Sequence, residues 1–371
     1  MKKSFLLLVL TISAAYVYAQ QSAETVLSQT RKVNAYFMAK YPDPTRPTHV
    51  GKYRPSSLWT RAVYYEGLMA LIDIYPSEEL TNYVDRWGTF HQWSPRNGVK
   101  TRDADDQCCG QTYIARFRQT GDSALIRNMM INIEGQMAEN RVDYWTWIDA
   151  IQMCMPIYAQ LYKMTGRRTY IDKAMEMYLW SRNNQGGGLF NKKSGLWWRD
   201  KDFVPPYKEH DGNDCYWSRG NGWVYAALVR VMNELSPKDQ YYKILIKDFK
   251  AMSKALISCQ RSDGFWNVSL ASPATFGGEE TTGTSLFLYG LSWGLRNRTL
   301  KSSVYRNAAD KAWEALSCHA VHADGFLGFV QGTGKEPKDS QPVKYNTIPD
   351  FEDFGTGCFL LGATEYYKLI K

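Results

Sequence analysis

The sequence predicts an all-α protein, an (α/α)6 barrel in which six helical hairpins close into a ring, and three observations predict it. Apolar residues recur at helical spacing along almost the whole chain, whereas strand-like alternation is scarce. The periodic segments come to twelve, which makes six pairs. Segments that are apolar on nearly every side alternate with segments that carry a charged face.

The first segment, near 22–40, is amphipathic. Segment 58–75 is rich in Gly, Ala, Met and aromatics and reads as buried all round; 79–92 is its more charged partner. The same alternation follows in 105–119 and 122–138, in 147–164 and 168–184, and in 217–234 and 239–260. It recurs in 282–296 and 302–320, and 355–370 ends the series with the inner-type run GCFLLGATEYYKL. The solvent-facing type is typified by KDQYYKILIKDFKAMSKAL. Gly-aromatic turns recur before inner segments: GGGLF at 186–190, SDGFW at 262–266 and ADGFLGF at 323–329. This weak internal repeat suits a closed ring, with an open helical solenoid as the alternative.

Residues 1–19 read as a secretory signal: Lys2 and Lys3, the apolar run Phe5 to Leu10, then Val17-Tyr18-Ala19 as a small-x-small cleavage site. The run is too short to span a bilayer, no Cys follows it to take a lipid, and no later segment is apolar for long enough. The expectation is an exported, periplasmic protein without a membrane anchor. The 352 residues from 20 to 371 (371 − 19) contain no Ser/Gly/Pro-rich linker and are read as a single barrel domain.

Residues 1–19 hold two Lys and no acid, so the formal charge falls from +8 to +6 without them. A modest positive excess suits an anionic ligand, and the absence of dense Lys/Arg runs argues against nucleic acid. The seven Cys are scattered and lack C-x-x-C spacing, so most read as buried free thiols. No metal or organic cofactor is indicated.

Four clusters stand at the starts of inner segments: TRDADDQ at 101–107, WTWID at 145–149, CYWSRGNGW at 215–223 and PDFEDFGTG at 349–357. In a ring of antiparallel hairpins these starts share one rim, so Asp105 and Asp149 form a plausible carboxylate pair. Asp149 lies among Trp147, Ile148, Ile151 and Met155, where lost hydration raises a carboxyl pKa. Asp105 lies among Arg102, Asp103 and Asp106, a polar setting expected to keep acids charged. Divergent environments are what separate acid and base roles in glycoside chemistry. The structural alternatives are a capping carboxylate for Asp149 and an acidic first turn for DADD.

Arg219, between Trp217 and Trp223 with Gly220 and Gly222 beside it, can hold a carboxylate through two parallel hydrogen bonds while a Trp face takes a sugar ring. The alternative is helix-start packing with Arg219 in an internal ion pair. Arg199, Tyr207 and His210 lie on the long connection before that segment, where substrate contacts are common, although a solvated loop residue is the better account of His210 and Tyr207.

WTWIDAIQMCMP, WSRGNGWVYAAL and RDADDQ together resemble glycoside hydrolase family 105, the unsaturated rhamnogalacturonyl hydrolases, and less closely the related family 88 unsaturated glucuronyl hydrolases. The resemblance extends to ETTGTSLFLYGL at 280–291 and FGTGCFLLGATEYYKL at 354–369. It implies removal of a 4,5-unsaturated uronic acid from the non-reducing end of oligosaccharides left by polysaccharide lyases. The implied acid/base is Asp149, which protonates C4 of the enol ether and activates the water that adds at C5. Asp105 matches the second Asp of the family; Trp217 and Arg219 match its ring-stacking and substrate-orienting positions. Trp147 and Trp223 complete the expected aromatic rim. The chain departs from the family at GLWWR, where Arg199 stands in place of a common His, with His210 as the alternative carrier of part of that role. Two rival readings remain: conventional hydrolysis of saturated glycosides, and a non-catalytic glycan-binding barrel.

Overall fold

The computed structural model describes residues 22–371; the expected secretory signal falls outside them. The chain opens with α1 (Ala23–Lys40) and a hairpin of β1 (Thr48–Val50) and β2 (Lys52–Arg54). It then runs α2 (Trp59–Ile74), α3 (Glu78–Phe90), a single turn α4 (Ala104–Gln107), α5 (Gly110–Thr120), α6 (Arg127–Met137), α7 (Asp149–Thr165) and α8 (Arg168–Asn183). Hairpin β3 (Phe190–Asn191) and β4 (Leu196–Trp197) leads to α9 (Ser218–Met232) and α10 (Gln240–Cys259). Next come β5 (Trp266–Asn267), α11 (Pro273–Phe276), β6 (Glu279–Glu280), α12 (Thr281–Arg296), α13 (Ser303–Glu314) and α14 (Asp353–Ile370).

Local chemistry sets these boundaries. Ser22, Ser77, Asp239 and Ser302 each accept a backbone N–H at a helix start, satisfying a donor that the helix leaves free. Gly121 and Gly166 end α5 and α7 in the left-handed conformation.

The inner helices form a closed circuit. α2 packs on α5, α5 on α7, α7 on α9, α9 on α12, α12 on α14, and α14 back on α2. That last seam excludes the open solenoid. It depends on two glycines: a Cβ on Gly67 would lie 2.4 Å from the carbonyl oxygen of Gly357, and one on Gly357 would lie 2.3 Å from that of Val63. The interior-type segments are buried along almost their whole length, as in α7, where residues 149–161 are all buried.

The Gly-aromatic turns become small hairpins ahead of α9, α12 and α14. They surround the rim formed by the N-terminal ends of the inner helices. All seven cysteines are free and five are buried. Among the described residues, no helix is long and apolar enough to cross a membrane.

Candidate active site

Asp149 is the first residue of α7 and only 8 % exposed. Its Oδ2 accepts a hydrogen bond from Arg199 Nε at 3.2 Å. The strand end that carries Arg199 is held at this point because its carbonyl accepts the N–H of Ile148 at 2.9 Å. Arg199 Nη1 also donates to Asp200 Oδ2 at 2.7 Å. Burial raises the Asp149 pKa, while Arg199 and then Arg219 pull it down.

Asp105 corrects the sequence reading. Its pKa is pushed up to about 8, first by burial of the carboxyl and then by the charges of Asp103 and Asp149, with Arg199 opposing. The residue as a whole keeps partial exposure, but its carboxyl is enclosed, which favours the protonated form. Its polar neighbours in sequence point elsewhere. Arg102 donates to Glu139, Asp103 caps the N–H of Asp105 itself, and Asp106 accepts from Asn97 and Thr101. What reaches Asp105 from these neighbours is therefore like charge, not solvation. Asp149 has the raised pKa expected of its apolar setting, although it is also bonded to a cation.

Arg219 is fully buried at the start of α9. Where the sequence predicts a carboxylate clamp, Nη1 and Nη2 donate to the carbonyls of Gln331 and Gly332 at 2.7 and 2.8 Å. The guanidinium lies 4.5 Å over the Trp217 ring, and Trp217 Nε1 donates to Gln331 Oε1 at 2.8 Å. Trp217 is 1 % exposed, so its ring stacks on Arg219 and is not open to a sugar. Trp223 is fully buried too, edge-on to Trp59 inside the ring. Trp217 and Arg219 anchor the 331–332 segment, and Trp223 packs in the wall of the ring. Trp147 is half-buried and pairs through its backbone with Asp200 beside Arg199. His210 is exposed on the connecting loop, and no bond joins it to Asp149 among the described residues.

Sequence reasoning missed three participants. Gln331 fixes Trp217 and reaches three loop carbonyls through Nε2. Glu280 is a fully buried N-cap of α12 that accepts from Thr282 and Gly283, and its charge offsets part of the burial that lowers the Arg219 pKa. Glu66, deep in α2, is fully buried as well. Glu280 was legible as the acid opening ETTGTS; Gln331 left no local signal.

Two buried carboxyls facing one basic group on the helix-start rim, both with pKa values raised by burial, can deliver and recover a proton. Three comparisons bear on the reaction. The family model described as Glycosyl Hydrolase Family 88 matches residues 29–370. The unsaturated 3S-rhamnoglycuronyl hydrolase of Alteromonas sp. (strain LOR) is 28 % identical over 344 residues, covering 86 % of this chain and 79 % of that protein. Among solved structures, a glycosyl hydrolase family 88 protein from Bacteroides vulgatus superposes with a TM-score of 0.85 at 29 % identity, covering 94 % of this chain and 100 % of the other. A structure named as a polysaccharide lyase superposes with a TM-score of 0.84 at 30 % identity, covering 94 % and 98 %.

Proposed function

The chain belongs to glycosyl hydrolase family 88, and from that premise we propose that it removes a 4,5-unsaturated uronic acid from the non-reducing end of oligosaccharides produced by polysaccharide lyases. The observation that carries this reading is the Asp105–Asp149 pair, with Arg199 Nε bonded to Asp149 and burial raising the pKa of both carboxyls. In this reading Asp149 hands a proton to C4 of the enol ether. The carboxylate left behind is stabilised by Arg199 and accepts a proton from the water that adds at C5. The hemiketal so formed opens and releases the aglycone. Asp105, neutral through this cycle, spares Asp149 a second negative charge at close range.

The test is a screen of lyase-digested polysaccharides, including rhamnoglycuronyl oligosaccharides of the kind named for the Alteromonas relative, followed by the absorbance of the conjugated uronate. Loss of that absorbance with release of sugar is the expected result. Hydrolysis of matched saturated disaccharides alone would establish the conventional glycosidase instead, and binding without turnover the glycan-binding barrel. The lyase-named neighbour favours one further reading, elimination. A lyase would create the chromophore from a saturated uronate, so the sign of the absorbance change decides.

The pH profile follows from the same pair. A carboxyl with its pKa at about 8 is protonated below that value and ionised above it, so turnover falls as pH rises through about 8. Arg199→Met removes the cation that holds down the Asp105 pKa and also favours ionised Asp149. The carboxyl pKa then rises and the alkaline limb moves to higher pH. A charged hydrogen bond contributes about 1.5–3 kcal/mol, so kcat should fall roughly 10–100-fold. An unmoved limb in Arg199→Met would remove Arg199 from the mechanism.

The export reading is part of this proposal, supported by the Lys2-Lys3, apolar and small-x-small pattern of residues 1–19. Its substrate is an anionic oligosaccharide, in keeping with the formal charge of +6 that remains without them.

A further inference from the structure

Glu66 lies at mid-length in α2, fully buried on the barrel interior and away from the carboxyl pair. Its Oε1 accepts from Cys108 Sγ at 3.2 Å and from Gln111 Nε2 at 3.0 Å. Its Oε2 accepts from Gln152 Nε2 at 2.9 Å and lies 3.7 Å from Arg230 Nη2. These partners are not scattered. Cys108 is three residues after Asp105, and Gln152 is three residues after Asp149, one turn along the same face of α7. Gln111 closes the network by donating to the carbonyl of Gln152 at 2.8 Å and accepting from Arg230 Nε at 2.8 Å.

We infer that Glu66 is a positioning residue for catalysis: it cross-links the segments behind Asp105 and Asp149 and so sets the separation of the two carboxyls. The inference rests on the catalytic reading of that pair and extends it to a residue that touches neither substrate nor reacting atoms. A helix start is held by what packs behind it, and the residue that ends α4 and the first turn of α7 meet at one carboxyl group. No apolar side chain can replace this, because packing does not fix the register of two helix ends to the sub-ångström level that proton transfer needs. Burial raises the Glu66 pKa to about 7, with Arg230 opposing, so the site tolerates a nearly neutral side chain provided that it still accepts hydrogen bonds. Gln meets that condition. One amide oxygen replaces Oε1, and the Gln152 Oε1, buried without a partner among the described residues, can turn to accept the new amide N–H.

The experiment compares Glu66→Met with Glu66→Gln on an unsaturated-uronyl disaccharide, with kcat expressed per folded molecule. The expected result is a fall of about 10–100-fold in kcat with little change in KM for Glu66→Met, and recovery to near wild-type kcat in Glu66→Gln. A folded Glu66→Met protein with wild-type kcat, or with a change in KM alone, would overturn the inference. A purely structural role lowers the folded yield and leaves the turnover of what folds untouched. If Glu66→Met does not fold, Gln152→Met decides, since it cuts only the link behind Asp149: the same kcat-specific loss supports the bracing, and an unchanged kcat refutes it. Asp149→Asn is run alongside. If that variant is inactive while Glu66→Met is fully active, only the bracing fails; an active Asp149→Asn removes the catalytic reading beneath it.

Discussion

Asp149→Asn is expected to lower kcat by about 10²–10⁴-fold, the usual contribution of a positioned general acid/base, while leaving the fold and thermal stability close to wild type. Asn keeps the shape and can still meet Arg199 through its amide oxygen, so the geometry at the start of α7 survives. What disappears is a group that can give up a proton to C4 and take one back. The buried carboxyl is costly in the native state, because burial outweighs Arg199 and Arg219 and leaves its pKa raised. Asn removes that cost, so a small gain in stability accompanies the loss of turnover. Steady-state kinetics on an unsaturated disaccharide and a melting curve on the same preparation measure both. Wild-type turnover in a correctly folded Asp149→Asn protein would end the assignment.

The second large effect concerns stability. Arg61 and Asp353 lie inside the seam between α2 and α14, 1 % and 2 % exposed, with Nε to Oδ2 at 3.3 Å. Thr60 also donates to Asp353, and Arg61 reaches the carbonyl of Pro44 while lying over the rings of Phe37 and Tyr41. Asp353→Ala strands a guanidinium inside the barrel, and breaking a buried pair in this way costs about 3–5 kcal/mol. Removing both partners with Arg61→Met/Asp353→Leu should recover most of the loss, since no uncompensated charge remains. Denaturant unfolding of the two singles and the double decides the matter: a double variant as unstable as the sum of the singles would show that the pair is not acting as a unit.

The ring was legible because it is written in alternation. Inner segments such as 217–234 must be apolar on every side to sit between neighbours, and outer ones such as 239–260 need a charged face. Boundaries were less legible where packing intervenes. Segment 105–119 is read as one helix but divides at Cys108–Cys109, where Gly110 lets Met129 and Ile157 close in. Segment 302–320 leaves the α-helical repeat after Glu314.

The site divides along the same line. Asp149 could be found because one acid stands at a helix start in an apolar run. Glu66 in YYEGLMALI also stands in an apolar run, but in the middle of a helix it has no neighbouring cluster or helix start to mark it out. The state of Asp105 could not be read at all from TRDADDQ. Which of three charged neighbours reaches its carboxyl depends on where Glu139, Asn97 and Thr101 draw them in three dimensions. The fate of Arg219 likewise depended on loop carbonyls more than a hundred residues away.

The grip of Arg219 and Trp217 on Gln331 and Gly332 has a bearing on how new specificities arise on this scaffold. At its far end the same loop is pinned by Asp350, which accepts from Thr333 and meets Arg54 of the β1–β2 hairpin. Between these two moorings the carbonyls of Glu336, Pro337 and Asp339 accept from Gln331 Nε2, and carbonyls are supplied by any residue type. Side chains along 334–349 can therefore vary while the chemistry is inherited intact, provided that this backbone and Gln331, Gly332, Thr333 and Asp350 are kept.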